Sequence, residues 1–152
     1  MKKESGIVYK KALEFKKKYP MTVAWRLCQN SSVIEKHLNP TERVLYVFCA
    51  QKNDNPFNMI STAVVALTTQ RILIGRKRVV FGYFLDSITP DLFNDLKVFS
   101  NIIWGKIHID TLNEFVTLSN ISKAALSEIE TKVSSFMMEE KKKYPSAINR
   151  TK

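Results

Sequence analysis

The sequence predicts an α+β fold, a bent antiparallel barrel or sandwich of seven strands that is capped by a C-terminal helix and preceded by an N-terminal helical extension. Three observations support this prediction. Apolar residues recur at helical spacing near both ends of the chain. The middle contains short β-branched and aromatic runs, and turn-forming residues separate them at short intervals. A length of 152 residues is typical of one domain with one core.

The first 38 residues are expected to be helical. Apolar residues recur every three or four positions over 7–19, with lysines between them, until Pro20 ends the pattern. Two further short helices are expected, one over 22–29 and one that starts from an N-cap within 30–32 and reaches residue 37. These helices are predicted to form an extension, residues 1–38, that packs on the remaining domain.

The strands follow Pro40, where β-branched and aromatic residues become frequent. A polar cluster at 53–56 predicts a long first hairpin loop, and the cations at 76–78 predict the turn between the third and fourth strands. Seven strands are expected, over 44–48, 60–67, 71–75, 79–85, 95–100, 104–110 and 114–118. Most aromatic side chains are expected in the core, among them Phe48, Phe81, Phe84, Phe93, Phe115 and Phe136.

A final amphipathic helix is expected after Ser122, its predicted N-cap. Its apolar stripe contains Leu126, Ile129, Val133, Phe136 and Met137. Because a meander of strands leaves an open end, this stripe is expected to close it. The predicted domain therefore spans 39–144, and 145–152 is expected to be a flexible tail.

Two segments resemble a known family. Residues 38–44 (LNPTERV) resemble the L-x-P-x-E-x-V pattern of bacterial pleckstrin-homology (PH) domains, the group also called YokE-like, and residues 67–74 (LTTQRILI) resemble its L-T-x-x-R hairpin. The resemblance implies a PH-like fold that acts as a binding module. Eukaryotic PH domains bind phosphoinositides with cations around the first hairpin loop, but residues 51–59 contain one cation, Lys52, beside Asp54. Headgroup binding in that mode is therefore disfavoured.

The residue types argue against an enzyme. Two histidines and two isolated cysteines, Cys28 and Cys49, do not form a catalytic or metal-binding pattern. His108 is expected to face away from Ile107 and Ile109, on the outer side of its strand. The four dispersed glycines do not form a phosphate-binding loop. We expect no cofactor, no metal and no small-molecule substrate.

The net charge of +10 favours anionic partners such as lipid, phosphate or acidic protein. Nucleic acid is disfavoured because aromatic residues do not alternate with cations along one strand face. Candidate contacts to an anion or lipid are Arg71, Arg76, Lys77, Arg78, Lys16, Lys17 and Lys18. Phe57 and Met59 are candidate apolar contacts in the first hairpin loop.

Two functions stay open on the sequence alone. The first is an adaptor that binds a protein partner or a second copy of itself, and the alternative is peripheral attachment to anionic membrane through the basic patches. A cytoplasmic location is expected because the chain begins without a secretory signal pattern and lacks a long apolar run.

Overall fold

The computed structural model describes residues 6–52 and 61–144, and it confirms the predicted fold of seven antiparallel strands with helices at both ends. The elements are α1 (Ile7–Lys18), α2 (Leu27–His37), β1 (Val44–Gln51), β2 (Thr62–Thr68), β3 (Ile72–Lys77), β4 (Tyr83–Ile88), β5 (Phe93–Ser100), β6 (Trp104–Thr111) and β7 (Phe115–Ser122). A C-terminal helix follows, made of a 3-10 turn (Lys123–Ala125), α3 (Leu126–Ile129), a π-helical turn (Glu130–Ser134) and α4 (Ser135–Lys141).

The sheet has the strand order β4-β3-β2-β1-β7-β6-β5. Each strand is antiparallel to its neighbours, as expected for strands joined by short turns. In the described part of the chain, β1 meets β7 at a single paired position, Gln51 with Ser119. The sheet therefore bends between these two strands and curls into a half-barrel with β1–β4 on one side and β5–β7 on the other.

The C-terminal helix packs against this half-barrel through its apolar stripe. Leu126, Ile129, Val133 and Met137 are buried, as the spacing predicted. Leu126 approaches β6 so closely that a β-carbon at Gly105 would lie 2.5 Å from its side chain, which explains the glycine. Ser122 occupies the predicted N-cap position, where it also ends β7, but its side chain forms no capping hydrogen bond with the following 3-10 turn.

The N-terminal helices cover the outer face of β1–β3. Cys49, Val64 and Gly75 lie side by side across these strands. The Cys49 thiol lies 4.0 Å from the carbonyl oxygen of Ala12 in α1, and a β-carbon at Gly75 would lie 2.7 Å from the side chain of Ile34 in α2. Because both faces of β2 are covered, the whole strand is buried, and the residues between its terminal threonines, Thr62 and Thr68, are apolar without alternation.

The structure corrects the prediction of two short helices over 22–37. One helix, α2, spans 27–37, and the segment before it is bound to β7 instead: Val23 N–H donates to the Asn120 carbonyl (2.9 Å), and Thr22 Oγ1 accepts from Ser122 N–H (2.9 Å). Asn30, expected near an N-cap, lies inside α2, where its side chain bonds to strand backbone instead of to its own helix.

The third hairpin also differs from the prediction. Arg76 and Lys77 belong to β3, β4 begins at Tyr83, and residues 78–82 form the turn that joins them. Arg78 N–H donates to the Gly82 carbonyl (3.0 Å), and Gly82 has a positive φ of 77°, which glycine adopts without strain. As a result Phe81 and Phe84 are exposed and do not lie in the core.

The other aromatic residues expected in the core are placed as follows. Phe48 and Phe93 are buried and Phe136 is partly buried, as predicted, whereas Phe115 on β7 is exposed.

Asn30 joins α2 to two strands, and its loss is expected to loosen the helix. Its amide nitrogen donates to the carbonyls of Thr62 and Trp25 (both 3.1 Å), and its Oδ1 accepts from Lys77 N–H (2.8 Å). Replacement by leucine leaves these buried groups unsatisfied, so Asn30→Leu should lower the free energy of unfolding by about 1 to 3 kcal/mol in urea titrations. Gln29→Ala, at an exposed position of the same helix, is the control, and an equal loss there would contradict this account.

Candidate functional site: an exposed basic and apolar hairpin

The β3–β4 hairpin places an apolar turn in solvent. Val79, Val80 and Phe81 form its apex, and the side chains of Val80 and Phe81 are 77% and 81% exposed. Scattered exposed apolar residues are common on protein surfaces, but three in succession at the end of a hairpin form a contiguous patch, which typically marks an interaction site.

Three cations, Arg76, Lys77 and Arg78, directly precede this apex in the hairpin. The guanidinium of Arg76 lies over the Phe84 ring at 4.4 Å from its centroid, and that of Arg78 lies 5.6 Å from the same centroid. Such stacking holds the charges in place while their heads remain near solvent. Partial burial lowers the pKa of Arg76, and the charge of Arg78 lowers it further. An anionic surface would relieve this repulsion.

The start of α2 extends the same surface. Arg26 Nη1 donates to the Lys77 carbonyl (3.4 Å), and the Arg26 guanidinium lies 5.6 Å from the centroid of the Trp25 ring, which is 41% exposed. At the base of β4, His37 Nε2 and the Tyr83 hydroxyl are 3.1 Å apart. We define the hairpin surface as Trp25, Arg26, Arg76, Lys77, Arg78, Val79, Val80, Phe81, Tyr83 and Phe84.

Arg71, a predicted anion contact, is hydrogen-bonded to other residues of the protein. It donates from Nε to Glu42 Oε2 (3.0 Å) and from Nη2 to Glu42 Oε1 (3.1 Å), and further bonds reach the His37 carbonyl (2.9 Å) and Ser87 Oγ (3.2 Å). Strand geometry places it about 17 Å from Arg76, at the opposite end of β3. Arg71 is therefore not brought together with the cations of the hairpin.

The two motifs that resemble the PH domain family meet in the ion pair between Glu42 and Arg71. Glu42 comes from the segment before β1, whereas Thr68 and Arg71 flank the β2–β3 turn. The Thr68 hydroxyl donates to Glu42 Oε2 (2.5 Å), and Asn39 N–H donates to Oε1 (3.0 Å). Burial alone would raise the pKa of Glu42, but the bonds from Arg71, Thr68 and Asn39 outweigh it and lower that pKa below 4.5. The motif residues therefore hold the turn to the start of β1.

The lysines of α1 are placed differently from the hairpin cations. Lys16 Nζ donates to the carbonyls of Pro20 (2.7 Å) and Thr22 (2.6 Å), and Lys18 Nζ pairs with Glu128 of the C-terminal helix (2.6 Å). The hydrogen bond to Glu128 raises the pKa of Lys18. Lys17 is exposed. Phe57 and Met59, the predicted apolar loop contacts, lie outside the described residues.

The sequence analysis proposed the cations at 76–78 as candidate contacts but did not propose the apolar residues beside them. Val79, Val80 and Phe81 have high strand propensity and were assigned to β4, and Trp25 and Arg26 were assigned to a helix. The available signal was Gly82, since an apolar run between cations and a glycine fits an exposed turn as well as a strand. Within the described ranges, no group of three or more His, Cys, Asp or Glu could hold a metal ion.

Comparison with known proteins agrees with this architecture. The family model described as "Bacterial PH domain" matches residues 38–135, which is most of the chain, so this protein belongs to the bacterial PH domain family. Domains of this class are generally binding modules for proteins or lipids. No curated protein sequence matches the chain significantly. None of the helices in the described segments is long and apolar enough to cross a membrane.

Two solved structures are similar to the chain. One is a pleckstrin homology domain from Shewanella amazonensis SB2B, at 10% identity over 77% of this chain and 89% of the other, with a TM-score of 0.44. The second is a DUF1696 family protein with a pleckstrin-homology domain from Shewanella loihica PV-4, at 8% identity over 74% of this chain and 91% of the other, with a TM-score of 0.47.

The Glu42–Arg71 pair predicts a specific pH dependence of stability. Because the pKa of Glu42 is lowered in the folded protein, its contribution is present above pH 4.5 and disappears as the pH falls through the folded value. Glu42→Gln should lower the free energy of unfolding by about 3 kcal/mol at pH 7, since it leaves Arg71 without its partner. The difference between the two proteins should shrink as the pH falls below 4.5.

Urea titrations at pH 7, 4 and 3 measure this difference. Glu139→Gln is the control, because Glu139 forms an exposed pair with Lys142 on α4 and should contribute little. A Glu42→Gln variant with the stability of the unmodified protein at pH 7 would contradict the proposed role of the network.

Proposed function

We propose that this protein is a non-catalytic module that attaches to anionic membrane through the hairpin surface. The observation that carries the proposal is the exposed apex of Val79, Val80 and Phe81, directly adjacent to Arg76, Lys77 and Arg78. An apolar group that enters the lipid and cations that remain at the headgroups are the two contributions from which peripheral proteins obtain membrane affinity.

The magnitudes show why both halves are needed. Each cation near an anionic surface contributes about 1 kcal/mol, so the three at 76–78 give weak, salt-sensitive attachment on their own. Transfer of the Phe81 side chain into an apolar environment contributes roughly 1.5 to 3 kcal/mol, and the adjacent Val80 adds to it. The combined surface supports reversible binding, and its affinity should depend on salt and on the apolar apex.

The arrangement of charges favours a bilayer over a single phosphorylated headgroup. Arg76 and Arg78 lie against one ring near the apex, and Arg26 lies beside Lys77 on the neighbouring element, so the cations are spread over two elements of the surface. Lys52, the cation of the first hairpin loop, is paired with Asp86 at 2.7 Å. A doubly charged phosphate would require convergent cations, whereas a lipid surface accepts charges spread along an edge.

Several finer assignments accompany this proposal. A cytoplasmic location fits, because the anionic leaflet that attracts such a surface faces the cytoplasm. The motifs at 38–44 and 67–74 support membership of the YokE-like subgroup. The start of the family match at residue 38 supports the division of the chain into an extension (1–38), a domain (39–144) and a tail (145–152). The sequence favoured a protein-binding adaptor, and the exposed side chains of Phe99 on β5 and Phe115 on β7 keep that function as a second candidate.

Sedimentation with vesicles tests the proposal. The protein should bind vesicles that contain phosphatidylserine at low salt, bind them less at high salt, and not bind vesicles of phosphatidylcholine alone. The double substitution Val80→Ser and Phe81→Ser should weaken binding about tenfold or more. Lys77→Glu with Arg78→Glu should weaken it by a similar or larger factor and remove most of the salt dependence.

Matched control variants distinguish the contribution of the hairpin surface from a general effect of lost apolar area or reversed charge. Ile102→Ser removes an exposed apolar side chain from the β5–β6 turn, and Lys142→Glu with Lys143→Glu reverses two exposed cations of the C-terminal end. Neither should change binding by more than about twofold. Absence of binding to anionic vesicles at low salt would overturn the membrane function, and equal losses in all four variants would overturn its assignment to the hairpin.

A further inference from the structure

A cleft of about 220 Å³ lies between α1, the start of β1 and the C-terminal helix, and we call it the helix cleft. Charged and apolar side chains from all three elements line it, among them Lys11, Glu14 and Lys18 on α1, Leu45 on β1, and Glu128 and Lys132 on the C-terminal helix. None of these residues belongs to the hairpin surface. An inference about the helix cleft therefore does not rest on the membrane proposal.

Two backbone irregularities meet at the helix cleft. Leu45 is an extra residue in β1, because its neighbours Val44 and Tyr46 pair with consecutive residues of β2, and its side chain is 39% exposed. Lys132 lies in the π-helical turn Glu130–Ser134. A β-bulge re-aims a side chain, and both bulges and π-helical turns are frequent next to functional sites. The cleft therefore lies where two elements depart from regular geometry.

Glu128 joins the three elements around the cleft. The Tyr46 hydroxyl donates to Glu128 Oε2 (2.7 Å), and Lys18 Nζ donates to Oε1 (2.6 Å). Burial alone would raise the pKa of Glu128, but these hydrogen bonds outweigh it and lower that pKa below its ordinary value. The carboxylate of Glu128 is therefore ionised, and the ammonium of Lys18 balances its charge.

Two other cations of the cleft have no carboxylate partner among residues 6–52 and 61–144. Lys11 is partly buried on α1, and the ammonium of Lys132 lies 5.4 Å from the centroid of the Tyr46 ring. Neither lysine forms an ion pair or a hydrogen bond with those residues. The two lysines belong to different walls of the cleft, so an anion between the walls can accept charge-assisted hydrogen bonds from both.

The charge and size of the helix cleft restrict its ligand. Three lysines and two glutamates line it, so its net charge is +1, and a polyanion would meet Glu14 beside the lysines. A ligand with one negative charge matches this lining, and Leu45 offers it an apolar contact. A cavity of about 150 Å³ accommodates benzene, so the cleft has room for one ring, or a short branched chain, with a carboxylate.

We propose that the helix cleft binds a small organic carboxylate, with its anionic oxygens between Lys11 and Lys132 and its apolar body on Leu45. Such a ligand contacts both α1 and the C-terminal helix, so it would link the N-terminal extension to the domain matched by the family model. Because the cleft is open to solvent on one side, we expect a dissociation constant of roughly 0.1 to 3 mM for a ligand as small as benzoate.

Titration of the whole protein with benzoate, followed by heteronuclear NMR at constant ionic strength, tests the proposal. Benzoate should bind saturably, and the amide signals of Leu45 and Lys132 should be among those that shift. Benzamide has the same shape without the charge and should bind about tenfold more weakly or worse. Sulfate should also bind more weakly than benzoate, because it has no apolar body and carries a second negative charge.

Single substitutions assign the binding to the cleft. Lys11→Gln and Lys132→Gln should each weaken benzoate binding about fivefold or more, because each removes one charge-assisted hydrogen bond. Lys17→Gln is the matched control, since Lys17 is exposed on α1 and does not line the cleft, and it should change the dissociation constant by less than about twofold. Circular dichroism shows whether each variant is folded.

Four results would overturn the proposal. They are an absence of saturable shifts up to about 30 mM benzoate (tenfold above the weakest constant expected), benzamide or sulfate that binds as tightly as benzoate, shifts that spare the cleft, and cleft variants that bind benzoate as well as Lys17→Gln does. The comparison of benzoate with benzamide uses the unmodified protein, so it decides the question even where a variant fails to fold.

Discussion

The covering of β1–β3 by the N-terminal helices determines which surfaces remain available for binding. Through Ala12, α1 contacts Cys49, and through Ile34, α2 contacts Gly75, so the outer face of this half of the sheet is closed. The inner face packs into a core that also contains buried residues of β5–β7 and the C-terminal helix. Only the projecting β3–β4 hairpin and the face of β5–β7 that contains Phe99 and Phe115 expose clustered apolar side chains on the described strands, and the first of these surfaces carries the proposed function.

The most recognisable sequence motifs of the chain serve structure instead of binding. Glu42 and Arg71 attract attention in a basic sequence, but the two charges satisfy each other and fix the β2–β3 turn at the end of β3 remote from the apex. The hairpin surface lies in a segment with no distinctive motif.

The fold could be predicted from the sequence because strand runs, turn residues and the stripe from Leu126 to Met137 are local patterns. The functional surfaces could not, because local propensity does not distinguish an apolar residue inside the sheet from one that projects beyond it. Phe81 and Phe93 look alike in sequence, yet a turn at Gly82 exposes the first, whereas the second is buried. Asn30 was misread for a related reason, since its partners on β2 and β3 are distant in sequence.

Hydrogen exchange of the whole protein, measured with and without phosphatidylserine vesicles, tests the central claim most directly. The account predicts that β2 amides are strongly protected in both conditions, because both of its faces are covered. It also predicts that amides of residues 78–82 exchange rapidly in solution and slow down when vesicles are present. Rapid exchange of β2, or slowing on vesicles that spares the hairpin and appears in α1 or β5–β7 instead, would contradict it.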